Sequence, residues 1–444
     1  MPFTPGGTDS ATDRRDPELR LRTLFDRGTL RLLAPRDESG VLHARGTVDG
    51  TPAVAFATDA TRMGGAIGVA GCRRVVEAID VAVRDRVPVA GLWHSGGARL
   101  AEGVSSLDAA GRVFAAMVRA SGRIPQVSVV LGPAAGSAAY SPALTDLVIM
   151  SRAGRLVPSG TATSWAHVAT EDEPAALAEA RRLIRLLGHQ GRLSPDDVRP
   201  GSTVGRPLDS LLTGANYDVR PLVRALLDEP GLESHAHWAP NLVTVLGRFA
   251  GRTVGVVANN PQHLNGCLDA SAAEKAARFV RMCDALAIPL LVLVDTPGYL
   301  PDREPDAVVR RGAQLLHAFA ASVVPRVTLV TRRAYGGGYL AMNSRALGAT
   351  AVLAWPHAEV AVLDPGAAVH VLHRRQLAAA APAERDPLRE RLIRAHVEAT
   401  GGVQPALEAG VVDAVIHPDE TRRRIAEALA EAPPARGARS NIPL

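Results

Sequence analysis

The chain repeats itself at a spacing of 200 or 201 residues, and no other feature restricts its fold so strongly. Gly46-Thr47-Val48-Asp49-Gly50-Thr51-Pro52-Ala53-Val54 has the form of a tight turn entering a strand, and Gly247-Arg248-Phe249-Ala250-Gly251-Arg252-Thr253-Val254-Gly255 has the same form 201 positions later. An amphipathic helix with Val75, Val76, Ile79 and Val83 on one face leads to Pro88 and a strand over 89–93. Phe279, Val280, Cys283 and Leu286 lead likewise to Pro289, again 201 further on, and a strand over 290–294. Both strands run into glycine-bearing turns, His94-Ser95-Gly96-Gly97-Ala98-Arg99 and Asp295-Thr296-Pro297-Gly298-Tyr299, each followed by a second helix. Proline-led strands follow over 125–131 and 325–330. After them come the stretches richest in small residues: Gly132-Pro133-Ala134-Ala135-Gly136-Ser137-Ala138-Ala139-Tyr140 and Ala334-Tyr335-Gly336-Gly337-Gly338-Tyr339. Two unrelated α/β domains would not keep one offset through matched features of this kind. The pattern predicts a tandem pair of similar α/β domains over 19–205 and 206–444, after a polar tail over 1–18. Pro, Gly, Asp and Arg break the periodicity over 195–233, which is the expected join.

Composition supports domains of this size and excludes several functions. Of 444 residues, 47% are hydrophobic and 21% charged, enough to build large cores. No run approaches the ~18 apolar residues of a spanning helix, and residues 1–18 lack the apolar segment of a secretory signal, so a cytoplasmic protein without membrane attachment is expected. Cys72, Cys267 and Cys283 are far apart, and no His, Cys, Asp or Glu spacing supports a metal site. The net charge of +5 is spread along the chain, which disfavours a nucleic-acid stripe. Lys275 is the only lysine. It lies in a helical stretch, where it suits neither a P-loop, a Schiff base nor a biotin carrier. Ser271 and Glu274 are spaced as a capping box at the start of that helix.

A glycine turn between a strand end and a helix start aims successive backbone N–H groups at one point, where the helix dipole adds positive potential. Read along the sequence, Gly136 with Ser137 and Gly337 with Gly338 take the equivalent place of each half and are the candidates for two oxyanion holes, each donor supplying about 3–4 kcal/mol to a developing enolate. Taken singly, either motif also reads as small residues that let a helix pack close to a sheet. No GxSxG elbow occurs, and the 13 histidines form no pairing with a Ser or Cys nucleophile. His94 reads as a strand-end histidine satisfied by its neighbours or as a base. Asp295, at the matching place, could cap the turn after it.

These motifs resemble the carboxyltransferase (beta) subunit of biotin-dependent acyl-CoA carboxylases, of the acetyl-/propionyl-CoA type. The first half carries the resemblance in Ser95-Gly96-Gly97-Ala98-Arg99-Leu100-Ala101-Glu102-Gly103, Gly132-Pro133-Ala134-Ala135-Gly136 and Tyr140-Ser141-Pro142-Ala143-Leu144-Thr145-Asp146. The second carries it in Gly266-Cys267-Leu268-Asp269, Val294-Asp295-Thr296-Pro297-Gly298-Tyr299-Leu300-Pro301, Arg310-Arg311-Gly312-Ala313, Ala334-Tyr335-Gly336-Gly337 and Ala354-Trp355-Pro356. The resemblance implies a tandem pair of crotonase-like (ClpP/crotonase superfamily) β-β-α domains. It also implies a homo-hexamer built as a trimer of dimers, with acyl-CoA as substrate on the first domain and biotin on the second. Biotin would arrive as carboxybiotin on a separate biotin carboxylase/biotin carboxyl carrier (alpha) subunit. By carry-over, Gly136 and Ser137 hold the thioester oxyanion and Gly337 and Gly338 the biotin ureido oxygen. Gly96, Gly97, Ala98, Arg99, Ala135, Tyr140, Tyr335 and Leu340 line the substrate sites, with Leu340 influencing acyl selectivity.

The chain departs from that pattern in places. Ser137 replaces a second glycine, which implies strain if that position needs a positive φ. His94 stands where an aspartate is usual, and 154–170 and 302–308 are altered or shortened. The resemblance leaves open a malonyl-type-CoA decarboxylase or a transcarboxylase subunit on the same fold, and a non-catalytic assembly partner. Arg99, Arg310 and Arg311 fit either CoA phosphates or structural carboxylates.

Overall fold

Each half contains a hairpin closed by a two-residue turn. Strands Val41–Val48 and Thr51–Thr58 pair antiparallel, as do Leu242–Phe249 and Arg252–Asn259. The turns are closed by left-handed pairs, Asp49 at φ 48° with Gly50 at 76°, and Ala250 at 47° with Gly251 at 79°. Left-handed φ at both turn residues matches the right-handed twist of the flanking strands. The computed structural model describes residues 13–157, 166–193, 207–300, 305–400, 402–438 and 440–441.

From the hairpin each chain turns to parallel strands joined through helices. In the first half, Thr51–Thr58 is followed across the sheet by Val89–Ser95, Gln126–Ala135, Leu147–Ser151 and Val168–Thr170. The second half repeats this with Arg252–Asn259, Leu290–Thr296, Arg326–Tyr335, Ala351–Ala354 and Ala414–Val415. Even the side pairings repeat: Arg155–Val157 joins the far end of Gln126–Ala135, and Glu359–Ala361 that of Arg326–Tyr335. Both eight-stranded sheets are buried on their central strands, and their near-continuous Val, Leu and Ala runs suit sheets covered on both faces.

The helix Val69–Asp85 turns Cys72, Val75, Ala78, Ile79 and Ala82 inward, the i, i+3, i+7 stripe of an amphipathic helix. Each fully buried Val or Ile there contributes about 1.5–3 kcal/mol. Trp93, 1% exposed, stands edge-on to Phe56 at 5.1 Å and donates its indole N–H to Ser128 Oγ at 3.0 Å. The tandem repeat and the α/β, crotonase-like β-β-α class are therefore as the sequence indicates.

Three expectations need correction. The described residues divide between His189 and Gln190, upstream of both the 205/206 boundary and the 195–233 join. Gln190 already belongs to the second unit, because its carbonyl accepts from Thr253 N–H at 2.7 Å and its amide donates to Leu286 O at 2.8 Å. The tail ends earlier than residue 18, since the helix Pro17–Leu24 is capped by the Asp16 carboxylate. The helix Ala270–Ala285 is capped by Asp269, which accepts from Ala272 N–H at 2.8 Å, so Ser271 and Glu274 form no capping box. Glu274 instead pairs along and across helices with Arg278 and Arg311. Residues 158–165 and 302–304 of the two altered segments lie outside the described residues. No helix among the described residues is long and apolar enough to cross a membrane.

Candidate active site

The candidate turns are built alike. Strand Gln126–Ala135 ends at Gly136, at φ 56° and ψ −128°, a conformation open to glycine, and the helix Ser137–Ala143 begins immediately after it. Strand Arg326–Tyr335 ends at Gly336, at φ 52°, and leads into the helix Gly336–Ala341. Gly136 therefore matches Gly336, and Ser137 matches Gly337. The sequence pairing of Gly136 and Ser137 with Gly337 and Gly338 is off by one residue, because three consecutive glycines hide which of them turns the chain. Counted from the turn, the N–H groups of Ser137 and Ala138 correspond to those of Gly337 and Gly338. The first N–H groups of a helix have no acceptor within it.

The strain expected at Ser137 is absent, since Gly136 carries the positive φ and Ser137 is the first helical residue. Ser137→Gly is accordingly expected to change stability by less than about 1 kcal/mol and to leave turnover intact. Thermal unfolding and a steady-state assay check both.

A second feature in each half supports the turn, and sequence reading missed it. Met63, Gly64 and Gly65 are consecutively left-handed at φ 46°, 58° and 78°, and so are Leu264, Asn265 and Gly266 at 48°, 54° and 78°. Gly65 packs on the His94 carbonyl and Gly266 on the Asp295 carbonyl, too closely for any Cβ. From these segments run matching bridges, Ile67 to Ala98 and Leu268 to Tyr299. The signal was available, because Gly65 and Gly266 keep the 201-residue offset. The bridges fix the loops carrying Gly97 and Gly298, which lie against the candidate turns. A Cβ on Gly97 would stand 3.1 Å from Ala135 O, and one on Gly338 would stand 2.7 Å from Gly298 Cα.

The other expected residues separate into turn neighbours and supports. Gly96 donates to Gly64 O at 2.8 Å and Gly97 to Ser95 Oγ at 3.2 Å. Arg99 is structural: it donates to Ala66 O at 3.2 Å and Glu38 O at 2.7 Å, and lies 3.7 Å from Glu102. Glu102 in turn accepts from Val69 N–H at 2.6 Å, capping the helix that follows Gly68. Arg311 is taken by Glu274. Tyr335 is buried and donates its hydroxyl to Glu359, which fixes the strand end before Gly336. Burial and the neighbouring carboxylate push that phenol above its ordinary range. Tyr140 and Leu340 are 63% and 50% exposed, one beside each turn.

His94 and Asp295 occupy matching places and do different work. The His94 ring is held between Gly132 and the buried Arg20, whose Nη2 is 3.5 Å from Nδ1 and which is bound bidentately by Glu173 at 2.8 Å. Burial first, then the nearby guanidinium, lower its pKa, so the ring is neutral at pH 7. Asp295, 1% exposed, does not cap the following turn. It accepts from Arg333 Nε at 2.7 Å and from Tyr217 Oη at 3.0 Å, and Arg333 reaches on to Asn265 Oδ1 at 3.0 Å. The Asp295 to Arg333 pair thus ties the strand end to the left-handed segment below the turn. All three cysteines are free, and burial raises the Cys72 thiol to about 11, which suits a packing role.

A parallel-rich sheet that ends in a left-handed glycine and a short helix, made twice in one chain, defines a double crotonase-like protein. The chain matches the family described as Carboxyl transferase domain over residues 24–164 and 159–436. It belongs to the carboxyltransferase (beta) subunits of biotin-dependent acyl-CoA carboxylases. It is 51% identical to the biotin-dependent acetyl-/propionyl-coenzyme A carboxylase beta6 subunit of Mycobacterium tuberculosis, over 100% of this chain and 99% of that one. It is 50% identical to the propionyl-CoA carboxylase beta chain of Rhodococcus erythropolis, over 98% of each. The crystal structure of transcarboxylase 12S, a hexamer assembly with methylmalonyl-coenzyme A and methylmalonic acid bound, superposes with a TM-score of 0.86 at 35% identity, covering 97% of this chain and 92% of that one.

Proposed function

We propose that the two turns serve the two ends of one carboxyl transfer, from carboxybiotin to the α-carbon of a short acyl-CoA. The observation that carries this reading is the recurrence, in both halves, of a left-handed glycine followed at once by a helix start. In the first half, Gly136 turns the chain and the amides at and after Ser137 hold the thioester oxygen as it gains enolate charge. Each such donor contributes about 3–4 kcal/mol, because it is already in place when the charge appears. In the second half, the amides of Gly337 and Gly338 hold the biotin ureido oxygen.

The residues present suit a flat ureido group. A Cβ on exposed Gly337 would meet only the Tyr299 ring, at 3.7 Å, so three glycines leave the backbone bare toward an incoming carbonyl. When bound, carboxybiotin supplies the carboxyl group and, once relieved of it, the base for the α-proton, which accounts for a site without a side-chain triad. The same donors serve the reaction in either direction, so a biotin carboxylase/biotin carrier alpha subunit would decide which way carboxyl flows. The acyl-CoA is placed on the unit ending at His189, biotin on the unit from Gln190, and the working assembly is a homo-hexamer, as in the transcarboxylase 12S relative. The apolar, half-exposed Leu340 directly after Tyr339 favours tolerance of several short acyl chains. Gly136 and not Ser137 carries the positive φ, so Ser137 lends no support to a non-catalytic partner.

The test is the reverse reaction with the purified chain, free biotin, and malonyl-, methylmalonyl- and longer alkylmalonyl-CoA. Loss of the carboxylated thioester is expected on the short members. A folded chain that binds CoA and turns over none of them sinks the reading.

A further inference from the structure

Lys275 is 2% exposed, and no carboxylate touches it. Its Nζ lies among four backbone carbonyls of one loop: His235 O at 3.0 Å, Trp238 O at 2.9 Å, Ala239 O at 3.4 Å and Leu242 O at 2.7 Å. That is the oxygen shell that peptide groups give to a bare cation. Burial lowers the ammonium to about 8, which still leaves it protonated at neutral pH. Glu233, the carboxylate whose charge acts on the ammonium through space, is committed to Arg220 at 2.8 Å. On the helix of Lys275 itself, Glu274 and Arg278 pair with each other.

The loop needs such a clamp. His235 and Ala239 are left-handed at φ 55° and 46°, a strained conformation that a non-glycine residue keeps only where its surroundings enforce it. The loop is also wired to the biotin-side turn. Asn241, 1% exposed, donates to Cys267 O at 2.9 Å and to the Asp269 carboxylate at 3.3 Å. Leu268 N–H donates to Gly298 O at 3.0 Å, and Leu300 N–H to Leu268 O at 2.8 Å. Gly298 is the residue on which Gly338 rests.

We propose that Lys275 is a positioning residue for carboxyl transfer: its ammonium, solvated by the 235–242 loop, sets through Asn241, Leu268 and Gly298 the place of the Gly337 and Gly338 amides. The inference rests on the carboxyltransferase reading above. It assigns Lys275 no contact with substrate or biotin.

The test uses the full-length chain in the free-biotin assay, where turnover by the wild type first establishes the underlying reading independently. With that in hand, Lys275→Ala is expected to lower kcat about a hundredfold, the effect of a misplacement near 1 Å, with KM for the acyl-CoA within about twofold of wild type. Hydrogen exchange should accelerate at 235–242 and at 296–300 together. Methylammonium, which can enter the vacated carbonyl shell, should restore both turnover and protection, and tetramethylammonium neither. Asn241→Ala supplies the second variant, which loosens 296–300 while the Lys275 shell persists, and it carries the test should Lys275→Ala not fold. Unchanged kcat in either folded variant, or exchange that rises at 235–242 without rising at 296–300 in Lys275→Ala, overturns the proposal.

Discussion

Gly338→Ala is expected to abolish carboxyl transfer, lowering turnover by about 10²–10³, the cost of losing one preorganised oxyanion donor. The added Cβ would stand 2.7 Å from Gly298 Cα and 3.0 Å from its carbonyl carbon. Both are backbone atoms in a loop held by the Leu268 to Tyr299 bridge, so neither can swing aside as a side chain could. The turn must move, and the amides with it. Gly337→Ala is the internal control. Its Cβ would meet only the Tyr299 ring at 3.7 Å, an ordinary contact, so the turn stays in place and this variant should lose less turnover than Gly338→Ala, through crowding of the ureido carbonyl alone. Steady-state rates with free biotin, alongside circular dichroism to establish folding, separate the two. Equal activity in both variants would remove Gly338 from the site.

Asp295→Ala should give the largest loss of stability of any single change considered. The carboxylate is 1% exposed and holds both Arg333 and Tyr217, so its removal leaves a guanidinium and a phenol without their partner. Breaking a buried pair from one side costs about 3–5 kcal/mol, much of it the penalty of the abandoned charge. Asp295→Asn keeps the shape and one acceptor oxygen and should recover part of that. Chemical denaturation monitored by Trp238 and Trp355 fluorescence reads the difference. A loss under about 1 kcal/mol for the alanine variant would show that water replaces the carboxylate at no cost.

What could be read from the sequence was whatever the two halves share. The paired strands, the paired glycine turns and the helix leading to Pro88 and Pro289 are local patterns, and their recurrence marked the fold. The exact register of the turn was not legible, because Gly336, Gly337 and Gly338 are identical in type and only the backbone shows that Gly336 is the left-handed one. Nor was the division of labour between His94 and Asp295. Their partners, Arg20 with Glu173 and Arg333 with Tyr217, come from 38 or more residues away along the chain. Lys275 was conspicuous by type yet its role lay in carbonyls, which no sequence displays. The Asp269 cap prevailed over the Ser271 and Glu274 spacing because helix starts are decided by which residue leaves the helical conformation first, and Asp269 is extended at ψ −178°.

The left-handed segments at 63–65 and 264–266 have a consequence for how damage spreads in this protein. Each half carries its own such segment, its own bridge and its own glycine turn, and the contacts described for one turn all come from the same compact unit. An error at 63–65 therefore acts on the turn at Gly136, and one at 264–266 on the turn at Gly336. Lesions should sort into two complementation groups, each deaf to one reactant while its other turn remains fully formed.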